Sequence, residues 1–261
     1  MTRSRTAIVT GAAQGVGAAC AEGLVRDGVG HLLLIDHDAT TLHDTAERLR
    51  QSGSEVTELV LDLRDADTLL RELGAAIGAL GQVDVLVNAA GTTARGGLLD
   101  TTPDLFDFIF QINVRAPLLT MQVAVPAMRA SGGCIVNITS MLAHGGPPFL
   151  ATYAASKAAL VALTRNAANT LKHERIRVHA INLGWTWTPG EQRTQTETHG
   201  LPEDWRETVG ATQPFGRLLM PEDPAALTVF LASEGAMMMT GAVVDLDQYV
   251  AGTVDDNPGS V

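Results

Sequence analysis

The stretch Thr6–Gly17, TAIVTGAAQGVG, decides the fold. Its first half, Thr6–Thr10, is apolar without alternation, which suits a strand buried on both faces. The run breaks at once into a loop holding Gly11, Gly15 and Gly17, and a helical pattern follows over Val16–Arg26. Glycine lacks a Cβ, so it permits a tight turn and close approach by a ligand. The helix behind such a loop offers unpaired N–H groups and the positive end of its dipole to a pyrophosphate. A glycine trio between a first strand and a first helix therefore reads as a dinucleotide loop, with Gly11, Gln14, Gly15, Val16 and Gly17 as its contacts. The Gly-x3-Gly-x-Gly spacing differs from the more usual Gly-x-Gly-x2-Gly.

Six more short apolar runs follow: His31–Asp36, Val56–Leu61, Val83–Asn88, Cys134–Thr139, Arg177–Asn182 and Ala242–Leu246. Helical stretches such as Thr40–Gln51 and Ala66–Ala79 separate the early ones. This is the βαβ rhythm of an α/β doubly wound sheet with helices on both faces. We expect one domain over residues 1–254 and a frayed tail over 255–261. The segment Trp185–Pro214 is polar, lacks apolar period and is too long for an ordinary connection, so it is read as a lid.

The chain has 261 residues, 46% of them hydrophobic, enough for a large core. Its net charge of −11 argues against nucleic acid and against an anionic membrane surface. No uninterrupted apolar run approaches the ~20 residues of a membrane span, and the first strand begins too early to leave room for a signal peptide. Cys20 and Cys134 read as small buried groups rather than a disulfide framework. A cytoplasmic protein is expected, with no metal site.

Asp36 closes the second strand, 19 residues beyond Gly17. A carboxylate there can bind both hydroxyls of an adenosine ribose and would repel a 2′-phosphate. The adjacent His37 and Asp38 offer no Arg or Lys for that phosphate, so NAD is favoured over NADP. Asp62 and Leu63 follow the third strand, and Asn88, Ala90 and Gly91 lie at the end of the fourth. These are carboxyl ends of strands, where such sheets bind ligands.

With TGAAQGVG (Thr10–Gly17), VNAAG (Val87–Gly91) and YAASK (Tyr153–Lys157) in this order, the chain resembles the short-chain dehydrogenase/reductase family. The likeness runs from about Thr6 to Asp247. It implies a Rossmann-type domain of seven parallel strands, a nicotinamide cofactor, and a homotetramer or homodimer. It implies a catalytic group of Asn113, Ser140, Tyr153 and Lys157, with Gly184 and Thr188 beside the nicotinamide. His179 stands where family members often have Asn, Leu183 where Pro is usual, and Gln248–Tyr249 where many have Gly-Gly.

The chemistry asks for such a group. A free tyrosine has a pKa of ~10, and a nearby ammonium favours its phenolate. Lys157 lies one helical turn beyond Tyr153, on the same face. Tyr153 then serves as base for alcohol oxidation or acid for ketone reduction. Ser140 would hold the substrate oxygen, Lys157 would also bind the nicotinamide ribose, and Asn113 would hold a water linking Lys157 to solvent. Trp185 and Trp187 could stack on a sugar ring or as readily anchor the lid on the core, and His144 could face the substrate, though a lone loop histidine more often covers the surface. Gln248 and Tyr249 could reach a pocket of this subunit or of a neighbour. With the polar lid, these lean towards a sugar, a polyol or another polar secondary alcohol. A steroid-like apolar alcohol would want an apolar lid. A silent nucleotide-binding regulator would be expected to have lost Tyr153 or Lys157. A methyltransferase would not need YAASK.

Overall fold

The computed structural model describes residues 4–253; the expected tail lies outside them. Seven strands form one parallel sheet: β1 (Arg5–Thr10), β2 (Val29–Asp36), β3 (Glu55–Val60), β4 (Val85–Asn88), β5 (Gly133–Ile138), β6 (Ile176–Leu183) and β7 (Val243–Leu246). Their order is β3-β2-β1-β4-β5-β6-β7. The chain winds outward from β1 in one direction, then returns and winds in the other, so β1 and β4 flank the switch point where such sheets bind ligands.

Successive side chains of a strand point to opposite faces, which is why the central runs are apolar throughout. Ala7, Val9, Leu32, Leu34, Val85 and Val87 face one layer, built from α1 (Gly15–Arg26), α2 (Ala39–Gln51) and α10 (Glu222–Ala232). Ile8, Leu33, Leu86, Ile135 and Val178 face the other. That second layer holds α3 (Ala66–Thr68) running through a π turn (Leu69–Leu73) into α4 (Gly74–Leu80). It also holds α5 (Pro103–Phe110), a second π turn (Gln111–Arg115), α6 (Ala116–Met128) and α7 (Ala151–Leu171). The edge strand β3 departs from the doubly buried pattern: Glu55, Thr57 and Val60 are exposed. Cys20 and Cys134 are free and buried, and burial pushes both thiols up to about 12.

Two expectations need correction. Pro103–Met128 is a 26-residue helical stretch apolar enough, by length and composition, to cross a membrane. Asp104, Asp107 and Arg115 interrupt it as a run of letters, so counting uninterrupted apolar residues misses it. In the fold its Ile109, Ala116, Met121, Ala124 and Met128 are buried. The lid is also more structured than its composition suggests. It carries α8 (Pro189–Arg193), a π turn (Thr194–Thr198) and α9 (Trp205–Gly210). Trp205 is fully buried and stacks on Trp185, with ring centroids 5.7 Å apart. The Trp187 and Trp205 indole N–H groups both donate to Gln192 Oε1, at 3.1 and 2.9 Å.

Candidate active site

A cavity of about 1240 Å³ opens at the carboxyl ends of β1, β2, β4, β5 and β6. Pockets for one small ligand hold roughly 300–1,000 Å³, so this one has room for a dinucleotide together with a substrate.

The glycine loop forms one end. Gly11 has φ +67°, and a Cβ there would lie 2.7 Å from the Ala90 backbone. A Cβ on Gly17 would strike the Gly11 carbonyl oxygen. The two loops are drawn together by Thr10, whose Oγ1 accepts from the Ala89 and Ala90 N–H groups at 3.2 Å each. The first turn of α1 has no acidic residue, and its N-cap Gln14 makes no side-chain cap bond. Its N–H groups are therefore left for an anion, and the crevice fits a pyrophosphate. Gln14, Gly15, Val16, Asp36, Asp62, Leu63, Ala90, Gly91, Gly184 and Thr188 all line the cavity. Thr188 also caps α8, accepting from Glu191 N at 3.0 Å. Leu183 pairs with Leu246, so the strand simply runs on to Gly184.

Asp36 is held by backbone donors: Ala13 N at 3.0 Å, His37 N at 2.7 Å and Asp38 N at 3.2 Å. Sequence reasoning found no cation near it. The fold brings Arg64 to the same cavity, where it grips Asp62 at 2.6 Å and lies over the Phe108 ring. That ion pair holds the Asp62 carboxyl below its ordinary value. Asn88 does not line the cavity. It is buried, donating to Asn137 Oδ1 at 2.8 Å and accepting from Thr120 Oγ1 at 2.7 Å. Asn137 in turn donates to Thr164 on α7 at 2.9 Å. This chain ties β4 and β5 to α6 and α7, so the expected cofactor contact at Asn88 is a structural bolt instead.

Ser140, Tyr153 and Lys157 line the same cavity. The buried face of α7 repeats at three and four residues: Tyr153, Ser156, Lys157, Leu160, Thr164. Lys157 Nζ donates to the Ile138 carbonyl at 2.9 Å and lies 5.8 Å from the Tyr153 ring centre. Ser140 caps the turn Met141–His144 and is hydrogen-bonded to Tyr153. Burial pushes the Tyr153 phenol above its ordinary value, against the Ser140 hydrogen bond, and Glu191 adds to the rise. Burial brings Lys157 down to about 8. The expected lowering of the phenol by Lys157 is not seen: desolvation disfavours both charged forms, and the ammonium lies 5.8 Å from the ring centre. A positively charged ring bound beside them would restore the balance towards phenolate.

Asn113 is fully buried in the π turn between α5 and α6. Its amide is committed: Nδ2 donates to Thr92 O and Ser156 Oγ, both at 3.0 Å, and Oδ1 accepts from Thr92 N at 2.9 Å. Both amide hydrogens are therefore used, and Oδ1 is the side-chain atom left to meet the expected water.

The other end of the cavity is lined by Met141, Leu142, Pro147, Phe149, Trp185 and Leu201, with Arg95, Glu191, Gln195 and His199 among them. Trp185 was expected there. Its indole donates to Glu191 Oε1 at 2.9 Å. His144 does not line the cavity; it lies 3.2 Å from Asp245 on β7. Gln248 and Tyr249 do not line it either. Gln248 pins the end of the lid, accepting from Phe215 N and donating to Arg217 O, both at 2.7 Å, and Tyr249 is exposed. Glu191, Arg95 and His199 were missed because no local pattern marks them; a connecting loop and the lid bring them together.

A glycine-lined crevice at the switch point is thus joined to a buried Tyr–Lys–Ser group. Residues 11–248 match the family model described as enoyl-(acyl carrier protein) reductase. The chain belongs to the short-chain dehydrogenase/reductase family. It is 35% identical to cis-4-hydroxycyclohexanecarboxylate dehydrogenase of Sinomonas cyclohexanicum, over 93% of this chain and 95% of the relative. It is 31% identical to sorbitol dehydrogenase of Cereibacter sphaeroides, over 93% and 96%. Among solved structures it is similar to L-sorbose reductase from Gluconobacter frateurii in complex with NADPH and L-sorbose. That match has a TM-score of 0.89 and 29% identity over 96% of this chain and 98% of the other.

Proposed function

We propose that this oxidoreductase interconverts a polar secondary alcohol, such as a sugar or polyol, and its ketone, using NAD. The observation that carries the reading is the convergence of Ser140, Tyr153 and Lys157 in one cavity with the glycine crevice and Asp36. When bound, the nicotinamide ring would accept or return the hydride. The protein's part is positional and acid–base. The Gly11–Gly17 loop and the start of α1 hold the pyrophosphate, and Asp36 holds the adenosine ribose. Ser140 fixes the substrate oxygen against the Tyr153 hydroxyl. Tyr153 takes the alcohol proton on oxidation and returns it on reduction. Lys157, with its ammonium 5.8 Å from the ring centre, would favour the phenolate together with a cationic nicotinamide, against the burial that raises the phenol.

Asp36 supports NAD, whereas Arg64 at the same end and the NADPH complex of the sorbose reductase weigh the other way. The substrate reading is supported by the polar groups Arg95, Glu191, Gln195 and His199 and by the relatives acting on sorbitol and sorbose. We take the exposed alanines Ala155, Ala158 and Ala162 of α7 as a face for a second copy in a homodimer or homotetramer. The free buried thiols fit a cytoplasmic setting.

The test is absorbance of the reduced nicotinamide with sorbitol, sorbose, 4-hydroxycyclohexanecarboxylate and steroid alcohols, each with NAD and with NADP. Turnover of steroid alcohols alone would reject the substrate reading, and no turnover with any alcohol would reject the reaction.

A further inference from the structure

We infer that the substrate carries a carboxylate and that Arg95 is the residue that reads it. The inference rests on the proposed reaction for its placement: Arg95 lines the cavity that holds Ser140 and Tyr153. Its neighbour Gly96 is fastened to the segment leading into Tyr153. Gly96 N donates to Phe149 O at 3.0 Å, and Thr152 N donates to Gly96 O at 3.4 Å. The guanidinium therefore sits at the substrate end, away from the glycine loop.

The charge of Arg95 is supported without being neutralised. Nε lies 3.1 Å and Nη2 2.7 Å from the same atom, His199 Nε2. Nη1 reaches only the Thr93 carbonyl, at 3.4 Å. Its carbon lies 5.9 Å from the centre of the Phe149 ring. Among the described residues no carboxylate lies within ion-pair distance of it. Other arginines also lack a carboxylate partner, but Arg95 is the one of them that lines the cavity. A guanidinium held by an imidazole nitrogen, an aromatic face and a carbonyl is left with charge to attract an anion entering the cavity.

The walls beside it, Met141, Leu142, Pro147, Leu150 and Leu201, are apolar. They can pack the carbon skeleton of a substrate whose charged end meets Arg95. Glu191 faces Tyr153 across the same cavity. It would oppose a doubly charged phosphate, while a single guanidinium matches the two oxygens of a carboxylate. The simpler reading is that Arg95 and His199 only latch the lid, and the test separates the two.

Each of 3-hydroxybutyrate, 3-hydroxycyclohexanecarboxylate and 4-hydroxycyclohexanecarboxylate is assayed beside its primary carboxamide, which keeps the shape and removes the charge. In the wild type at least one acid should exceed its amide in kcat/KM by roughly 10- to 150-fold, the range for a hydrogen bond to a charged group. In Arg95→Gln that ratio should collapse towards one, through KM on the acid. A latch alone predicts that acid and amide fall by the same factor with the ratio intact, and that result would overturn the inference, as would equal use of acids and amides by the wild type. A second measurement does not need turnover: quenching of Trp185 fluorescence by cyclohexanecarboxylate, against cyclohexanecarboxamide, in the presence of NAD. Should no alcohol react, the proposed reaction fails, and this measurement still decides the inference. Saturable quenching by the anion that is lost in Arg95→Gln supports it; no preference for the anion overturns it.

Discussion

Replacing Asp36 by Asn isolates the term that sets cofactor choice. A 2′-phosphate at ~4 Å from this carboxylate would meet a repulsion of about 4 kcal/mol at an effective dielectric of ~20. The Asp36 side chain is only 11% exposed, so solvent screens it modestly. Arg64 reaches the same end but arrives already paired with Asp62 at 2.6 Å, so it offsets part of the repulsion and not all of it. Taking half as a working figure leaves about 2 kcal/mol, or roughly 30-fold. The Asn variant keeps one oxygen for the His37 and Asp38 N–H groups and loses the charge, together with the oxygen that accepts from Ala13 N. We expect the ratio of kcat/KM for NAD over NADP to fall about 30-fold in Asp36→Asn. Initial rates with both cofactors on one alcohol measure it. A change below about threefold, or a wild type that already prefers NADP, would refute the reasoning and point to Arg64 released from Asp62 as the deciding group.

Tyr153→Phe should abolish turnover while leaving NAD affinity, measured by calorimetry, within a few-fold; a variant with full activity sinks the acid–base assignment. His179 is buried in β6, 3.3 Å from Arg177, and burial with that charge lowers it to about 4 from an ordinary 6.5. Above pH 6.5 both states are neutral there. Between 6.5 and 4 only the unfolded chain takes the proton, so stability falls with pH by about 2 kcal/mol after allowance for screening, and His179→Asn should remove that slope in urea unfolding. Asn137→Ala strands Asn88 and Thr164 without their partner. It should cost about 2–4 kcal/mol, read as a lowered Tm, and an unchanged Tm would show that the buried chain is not the bolt described.

The seven strands were legible because each central run is apolar on both faces, and a doubly covered parallel sheet leaves that mark in the letters. The edge strand β3 shows the limit: Glu58 and the exposed Val60 follow from having only one neighbour. Gly11, Gly17 and Asp36 were marked by the turns that follow β1 and β2, whereas Ser140, Tyr153 and Lys157 were singled out by the family resemblance; all six line the cavity. Asn88 and His144 misled. Each stands beside the site in sequence, while its side chain is claimed by a partner 49 or 101 residues away.

By itself, then, the sequence determined the sheet, which rests on periodicity, and its motifs pointed to the glycine loop and the Tyr–Lys pair that the fold brings to one cavity. Only the tertiary structure decided which groups face the cavity. It placed Arg64 opposite Asp36, gave Asn113 to Thr92, and joined Arg95 of a connecting loop to His199 of the lid, 104 residues on. It also turned the protonation balance of Tyr153 and Lys157 against their charged forms. Burial and charge are sums over everything that surrounds a group, and those surroundings exist only once distant segments have met.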